Sequence, residues 1–475
     1  MESHIVPKII DREQRPADGN RSPVRDRNKL RSEDRAAHHW YRFVLSFPPH
    51  LVREYIRRFR LTASQTVLDP FCGTGTTLVE CKKMGIPSVG IERHPMACFA
   101  SKVKVDWSVD PEDFVRHAEK IAELATNKLL QEGLEKDALP LFQTQRVTGL
   151  TLLSLPPEIS KLLLGNSISP LPLHRTLVLL DVLKEHGDSR FVDHERLALA
   201  KAIVHGVSNL HFGPEVGVGR PKHDVPVVEI WLENVRAMAQ DVRGLQGNGV
   251  PGATVLQEDS RDLSNVLAPQ SVDAVITSPP YPNEKDYTRT TRLESVLLGF
   301  VRNKEDLRSI KQALVRSNTR SVYKTDQDDL LVVDHDEIQE ICNAIERRRL
   351  ELGKTSGFER MYARVARLYF GGMARHLAGL RVALRPGAHL AYVVGDQASY
   401  LRVMIRTGRL LAGIAQSLNY EVLGVDLFRT RLATSTREQL REEVVVLRWS
   451  GDEPNDKAGR NLGLRESSTT SIPVA

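Results

Sequence analysis

Residues 66–77 read TVLDPFCGTGTT and constrain the fold more than any other stretch of the chain. The spacing predicts a buried strand over 66–68, a tight loop carrying Gly73 and Gly75, and a helix that starts near Thr77. Glycines let a backbone approach a ligand closely, and a helix N-terminus presents unpaired N–H groups. Together they form the first half of a nucleotide-type site in an open α/β sheet. A Gly-x-Gly pair also occurs in plain strand-to-helix turns, so taken alone the stretch leaves both readings open.

The residues that follow fit the first reading. A helix over 78–84 ends at Gly85, and a second strand over 87–91 finishes on Glu92. An acid about 20 positions beyond a glycine loop, at a second strand end, is placed to hold both hydroxyls of a ribose. A helix over 95–103 completes the βαβ unit.

At 475 residues, one large domain with insertions and two domains are both open. Hydrophobic residues at 41% and charged residues at 27% give a soluble globular balance. No apolar run approaches the ~20 residues of a membrane span, and the first residues lack the apolar core of a secretory signal. The expected location is the cytoplasm, without a membrane partner. Cys72, Cys81, Cys98 and Cys342 show neither a C-x-x-C pair nor zinc spacing, so neither a structural metal nor a disulfide framework is expected. The net charge of +6 permits an anionic partner such as nucleic acid without requiring one.

Composition and periodicity divide the chain into five parts. Residues 1–37 are polar and charge-rich and read as a flexible arm. Residues 38–106 form the first half of an α/β domain. They open on HHWYRFVLSF (38–47), read as a segment packed by its aromatics and not as a His38–His39 metal site. A helix follows Pro48 and Pro49, with Leu51, Tyr55, Ile56 and Phe59 on one face. Residues 107–250 read as a mainly helical insertion, with helices over 110–134, 194–210 and 227–245 separated by leucine- and proline-rich loops. Within it, GPEVGVGRPK (213–222) is either a phosphate grip or a structural turn, and the turn is preferred. The sheet resumes over 251–449. Strands are expected at 253–257, 272–276, 389–394, 420–427 and 443–448, and helices at 334–351, 358–384 and 401–418, with a turn at Arg385-Pro386-Gly387. Residues 450–475 read as disordered.

TSPPY (277–281), directly after the strand at 272–276, decides the chemistry. Two prolines hold the backbone extended and donate no N–H, so the carbonyls of Ser278 and Pro279 are free to accept. A serine hydroxyl and a proline carbonyl aimed at one point can hold an exocyclic amino group of a nucleobase, and Tyr281 offers a flat face for a flipped base. This suits direct transfer to an amino nitrogen. Attack at cytosine carbon-5 would need a cysteine nucleophile, usually after a proline, and no cysteine here follows one.

DPFCGTGTT together with TSPPY resembles the DNA amino-methyltransferase family, and the resemblance covers most of 40–449. It implies a Rossmann-like α/β fold with a seven-stranded, mostly parallel sheet, S-adenosylmethionine as methyl donor, and double-stranded DNA as partner. It places the cofactor on Ser46 and Phe47 of the aromatic segment, on Asp69, Phe71, Gly73 and Gly75, on Glu92 for the ribose and on Asp259 for the adenine. The catalytic tetrapeptide falls on Ser278, Pro279, Pro280 and Tyr281. A serine in its first position is typical of cytosine-N4 enzymes and an aspartate of adenine-N6 enzymes. The family's commoner order for SPPY enzymes puts the catalytic motif first. The reversed order here leaves target recognition to either the insertion or the basic helical segment 288–384.

Within 288–324, Arg289, Arg292, Arg316 and Arg320 are the candidate DNA contacts, and Asn283, Asp286 and Tyr287 the candidate rim of a base pocket. A solvated charged loop is the competing reading of that stretch. The expected activity is cytosine-N4 methylation of DNA in a restriction–modification system, with a separate endonuclease as partner. Adenine-N6 methylation, RNA base methylation and non-catalytic nucleic-acid binding are the alternatives, in that order.

Overall fold

A computed structural model of the chain describes residues 30–42, 46–134, 151–212, 216–247, 251–282, 286–432 and 438–451. Among these, the strands are β1 (Val67–Asp69), β2 (Ser88–Ile91), β3 (Leu210–Phe212), β4 (Val216–Val218), β5 (Ala253–Leu256), β6 (Val272–Thr277), β7 (Leu384–Gly395), β8 (Tyr420–Leu432) and β9 (Gln439–Trp449). Seven make one sheet in the order β5-β2-β1-β6-β7-β9-β8, while β3 and β4 form a separate hairpin. β5, β2, β1, β6 and β7 are mutually parallel, and β9 lies antiparallel between β7 and β8. The expected Rossmann-like α/β sheet of seven mostly parallel strands is the one observed.

The helices, in chain order, are α1 (Pro49–Arg58), α2 (Thr76–Lys83), α3 (Pro95–Lys104), α4 (Pro111–Gln131), the single turn α5 (Pro157–Ser160), α6 (Pro170–His186), α7 (Val192–Ala202), α8 (Val227–Leu245), the short α9 (Tyr287–Thr290) and α10 (Arg292–Leu297), α11 (Lys304–Gln312), α12 (Asp336–Glu351), α13 (Tyr362–Leu380) and α14 (Thr407–Ser417). No helix among the described residues is long and apolar enough to cross a membrane.

Side chains alternate between the two faces of each strand, so the sheet buries two apolar layers. Leu68, Val275, Leu390, Tyr392 and Val445 pack beneath α12, α13 and α14. Their neighbours Val67, Ala274, Ile276, Ala391, Val393 and Val444 meet Leu51, Val52, Tyr55 and Ile56 of α1. A third core joins Phe114 and Ile121 of α4, Val178 and Leu179 of α6, Leu197 of α7 and Trp231 and Val235 of α8 to Leu78 and Val79 of α2 and Met96 of α3. The inserted helices therefore close over the sheet's own helices through one continuous apolar interior.

Four stretches depart from the sequence reading. α6 lies where a proline-rich loop was expected. Its prolines, Pro170 and Pro172, sit in the first turn, where the missing N–H groups would have no partner in any case. The Arg385-Pro386-Gly387 turn lies inside β7 as an excursion, since Val272 pairs with Leu384 and Ala274 with His389, and Gly387 takes φ +87°. Residues 401–406 are not helical: Leu401 and Arg402 have φ of 56° and 67°, and Gln397 bridges Ile405 before α14 begins. The last residues of the charged arm are packed, with Asp34 buried against Arg53 at 2.8 Å and Ala37 fully buried. Residues 1–29 and 452–475 lie outside the described set.

The aromatic entry segment packs as expected. Trp40 and Tyr41 are buried, and His38 is buried with its Nε2 2.7 Å from the Glu80 carboxyl. Of the 213–222 stretch, the described part is a structural hairpin. Its Lys222 ammonium donates to the Gly206 carbonyl at 2.5 Å, which ties it to the protein and away from any phosphate.

Candidate active site

β1 and β6 are neighbours whose chain connections leave in opposite directions across the sheet, and a crevice opens beyond their carboxyl ends, the usual ligand position in such sheets. The glycine loop after β1 forms one side. Gly75 takes φ +83°, and a Cβ there would lie 2.5 Å from Ser101 Oγ, so only glycine fits. The Gly73 N–H donates to Glu92 Oε2 at 2.9 Å, and the His94 N–H donates to the other carboxyl oxygen at 2.7 Å. Glu92 thus fixes the loop and faces the cleft at once. Burial raises its pKa to about 7. Beneath the loop, Asp69 accepts from the Phe71 N–H at 3.1 Å and the Thr277 hydroxyl at 2.6 Å, and burial raises it to about 6. The bond to Thr277 ties the glycine loop to the strand that carries SPPY.

The buried Lys104 ammonium donates to the carbonyls of Thr74 at 2.7 Å and Tyr41 at 3.2 Å, clasping the loop to the aromatic entry segment. Burial lowers its pKa to about 7. Cys72 is packed beside Ser101 at 3.7 Å, and burial pushes its thiol far up, which removes it as a nucleophile.

Opposite the loop, the Ser278 hydroxyl donates to the Val393 carbonyl at 3.2 Å, leaving its oxygen lone pairs to accept. The Tyr281 ring lies directly on Gly395 of β7: a Cβ at that position would meet Tyr281 Cε2 at 2.7 Å and Cδ2 at 2.9 Å. Phe428, Arg429 and Glu442 continue this wall. Sequence reading did not single out Gly395. A glycine closing the apolar run HLAYVVG is the signal that would have found it, since glycine in a strand marks close approach.

A third wall, formed by residues 311–321, is braced from behind. The Lys311 ammonium pairs with Asp286 at 2.9 Å. Burial alone would raise Asp286, but the bonds from Thr288 and Lys311 hold it below the usual carboxylate range. Arg316 is buried, pairs with Asp326 at 2.7 Å, and donates to the carbonyls of Lys311 and Gln312 at 2.9 Å. Arg261 spans Asp259 at 2.7 Å and Asp328 at 2.8 Å and reaches the Gln312 carbonyl at 3.2 Å. His376, packed edge-on to Phe71 with ring centroids 4.8 Å apart, bridges the Ser260 carbonyl and the Tyr392 hydroxyl at 2.7 Å each. Burial lowers its pKa to about 4, so it is neutral. Its Nδ1–H then donates to the carbonyl and its Nε2 accepts from the tyrosine.

Most of the expected residues meet in this single cleft: Ser46, Phe47, Phe71, Gly73, Glu92 and Ser278 to Tyr281 all line it, with Asp286 and Tyr287. Asp69 and Gly75 support it from below. Asn283 lies outside the described residues. Asp259 departs from expectation: both its oxygens are taken by Arg261, and Glu258 and Ser260 are the residues of that loop that face the cleft. Two of the candidate DNA contacts are bracing groups. Arg316 is enclosed as described, and Arg292 donates to the carbonyls of Thr288 at 2.8 Å and Leu162 at 3.1 Å. Arg289 is half-buried, and Arg320 is exposed. No cluster of three or more His, Cys, Asp or Glu among the described residues could hold a metal.

A glycine loop after the first strand of this sheet, facing a proline pair after its central neighbour across one cleft, defines a Rossmann-like methyltransferase. Comparison with known proteins narrows the class. Residues 15–102 match the family model described as DNA methylase. The chain is 25% identical over 464 residues to the Type II methyltransferase M.BsoBI of Geobacillus stearothermophilus, covering 88% of this chain and 85% of that protein. It is 24% identical over 450 residues to the Type II methyltransferase M.AvaI of a Nostoc species, covering 88% and 87%. A shorter match, 42% identical over 59 residues, covers 12% of this chain and 11% of the Type II methyltransferase M.MjaII of Methanocaldococcus jannaschii. Over residues 15–102 the chain is thus similar to DNA methylases, and over most of its length it is similar to Type II methyltransferases.

Proposed function

We propose that the protein is a site-specific DNA methyltransferase that moves a methyl group from S-adenosylmethionine to the N4 amino group of cytosine in duplex DNA. The observation that carries the reading is Ser278, which heads the SPPY tetrapeptide at the end of β6 and shares one cleft with Gly73 and Glu92. Serine in that place is the family's usual mark of cytosine-N4 enzymes. The relatives' names as Type II methyltransferases support a restriction–modification setting with a separate endonuclease.

The cleft fits the cofactor chemically. A carboxylate for ribose hydroxyls is present in Glu92. Apolar surface for an adenine comes from Phe71, Ile91, Ala97 and Val315, and Gly73 leaves room beside the loop for the amino-acid end. Ser46 and Phe47 reach the same space. When bound, S-adenosylmethionine supplies a methyl group on a positively charged sulfur.

The chain's own residues then act on the target base. Tyr281 presents a stacking face whose position Gly395 sets. Ser278 Oγ and the Pro279 carbonyl accept from the amino N–H groups and turn the nitrogen lone pair toward the donor side. Packed walls exclude water around a charge that develops on nitrogen. Formation of the N–C bond would be matched by cleavage of the donor's methyl–sulfur bond, and the methylated nitrogen would then lose one of its two original protons to solvent, so no covalent enzyme intermediate is needed. Exposed Lys304, Arg308, Arg320 and Lys324, on and beside the braced wall, suit contacts to phosphates. Residues 107–250 and 288–384 are the regions proposed for target recognition.

Sequencing of DNA from cells that express the protein tests the reading, with a methyl mark on cytosine N4 at a defined site as the expected result. A mark on adenine would overturn it. Ser278→Ala combined with Tyr281→Ala should abolish transfer while cofactor binding measured by calorimetry survives. Retained transfer would refute the site.

A further inference from the structure

Gly395, Glu442 and Arg429 lie in register across three adjacent strands, β7, β9 and β8. Residues paired in this way share a face, and strands are spaced ~4.8 Å apart. The Tyr281 ring covers Gly395, and Glu442 Cγ would lie 3.5 Å from a Cβ placed there. A base stacked on Tyr281 therefore turns one edge toward Glu442 and Arg429, and both line the cleft. Arg429 is held rigidly: Nε donates to Glu442 Oε2 at 2.6 Å and Nη2 to Oε1 at 2.7 Å. Its remaining guanidinium donors have no protein partner among the described residues, and Arg429 is only 19% exposed. A half-buried, pre-oriented fork of N–H donors beside a base platform, with its charge balanced by Glu442, is built to meet an acceptor.

We infer that Arg429, oriented by Glu442, donates to the 2-oxo group of the flipped cytosine and so helps select cytosine over adenine. With the amino group held at Ser278 and Pro279, the edge of cytosine continues through ring N3 to O2. Adenine has a ring nitrogen beside its amino group as well, but a C–H where cytosine has O2. The O2 contact is therefore the one that discriminates. Glu442 acts as a positioning residue, because its carboxylate would repel O2 if it faced the base without Arg429 between them. This inference rests on the cytosine reading proposed above.

The test is single-turnover methylation at saturating S-adenosylmethionine of duplexes carrying, at the mapped target position, cytosine or a cytosine analogue lacking the 2-oxo group. The unaltered enzyme should act on the analogue about 10- to 100-fold more slowly, the range for a hydrogen bond from a charged donor. Arg429→Gln should slow cytosine by a similar factor and lose most sensitivity to the analogue, with cofactor affinity within twofold. Glu442→Gln should fall between. Equal rates of the unaltered enzyme on both duplexes overturn the assignment without need of any variant, as does full sensitivity to the analogue in Arg429→Gln. If the mapped mark is on cytosine and the analogue is tolerated, only the Arg429 assignment fails. If the mark is on adenine, the cytosine reading fails first and takes the assignment with it.

Discussion

Replacing Gly395 by alanine isolates the placement of Tyr281 from every other property of the site. The added methyl would lie 2.7 Å from Tyr281 Cε2 and 2.9 Å from Cδ2, with Glu442 Cγ at 3.5 Å on its other side. Ordinary carbon contacts are ~3.5–4.0 Å, so the ring must recede by about 1 Å. A misplacement of ~1 Å in a reacting geometry costs about 100-fold in rate, or about 2.7 kcal/mol of barrier. Folding should suffer less. Gly395 does not occupy the left-handed region, and alanine in a strand gains ~0.5–1 kcal/mol over glycine, against ~1–3 kcal/mol for overpacking. The assay is single-turnover methyl transfer, paired with calorimetry for the cofactor and a thermal melt. The expected result is a rate about 100-fold lower, cofactor affinity within threefold and a melting shift of a few degrees. In a Tyr281→Ala background the same substitution should have almost no further effect, because the ring it displaces is absent. A Gly395→Ala enzyme within threefold of the unaltered rate would refute the reasoning, as would an undiminished loss without the ring.

Four further outcomes are expected. The free protein keeps Glu92 protonated up to about pH 7, whereas ribose hydroxyls need the carboxylate as acceptor. Cofactor affinity measured by calorimetry should therefore fall as pH drops below about 7, by at most tenfold per unit, and level off above it, with Glu92→Gln weak at every pH. Arg316→Ala leaves Asp326 and three backbone carbonyls, those of Lys311, Gln312 and Leu314, without their buried partner, and should cost ~3–5 kcal/mol in denaturant unfolding along with cofactor affinity. Arg320→Ala should leave the melt unchanged and lower the salt slope of DNA binding by about 1. Lys104→Met removes a base whose pKa burial lowers from 10.5 to about 7. Because the unfolded chain binds the extra proton across that window, unaltered stability should rise with pH from about 7 to 10.5 relative to the variant. An identical pH dependence in the two proteins would show that Lys104 is charged in the fold.

The parts of the site legible in the sequence are those whose chemistry dictates a short local pattern. Gly73, Gly75 and Glu92 share one βαβ unit, and SPPY is a single tetrapeptide, so short-range spacing singles them out, and the fold brings them to one cleft. Groups that act through distant pairing left no such trace. Gly395 matters because Tyr281, more than a hundred residues earlier, lies on it. Arg429 and Glu442 face each other only because β8 and β9 pair in one register. Charge composition misled at Arg316, because an arginine on a wall and an arginine facing DNA read alike until burial is known. At Asp259 the resemblance gave the acid a place on the adenine, while Arg261, two residues on, bonds both its oxygens. The prolines of α6 misled for a local reason, since helix starts and loops use the same residue.

The continuous apolar interior between α2, α3 and the inserted helices bears on how such a protein can diversify. Met96 and Val79 belong to the cofactor half, yet they share their core with Trp231 and Val235 of the insertion. Residues 107–250 therefore cannot be lifted out and replaced as a cassette without opening the floor of the methyl-donor side. New variants of this lineage are expected to arise by substitution on exposed positions of those helices and in their connecting loops, while chimaeras joined near Trp107 and Gly252 should be insoluble unless the facing side chains of α2 and α3 are exchanged with them.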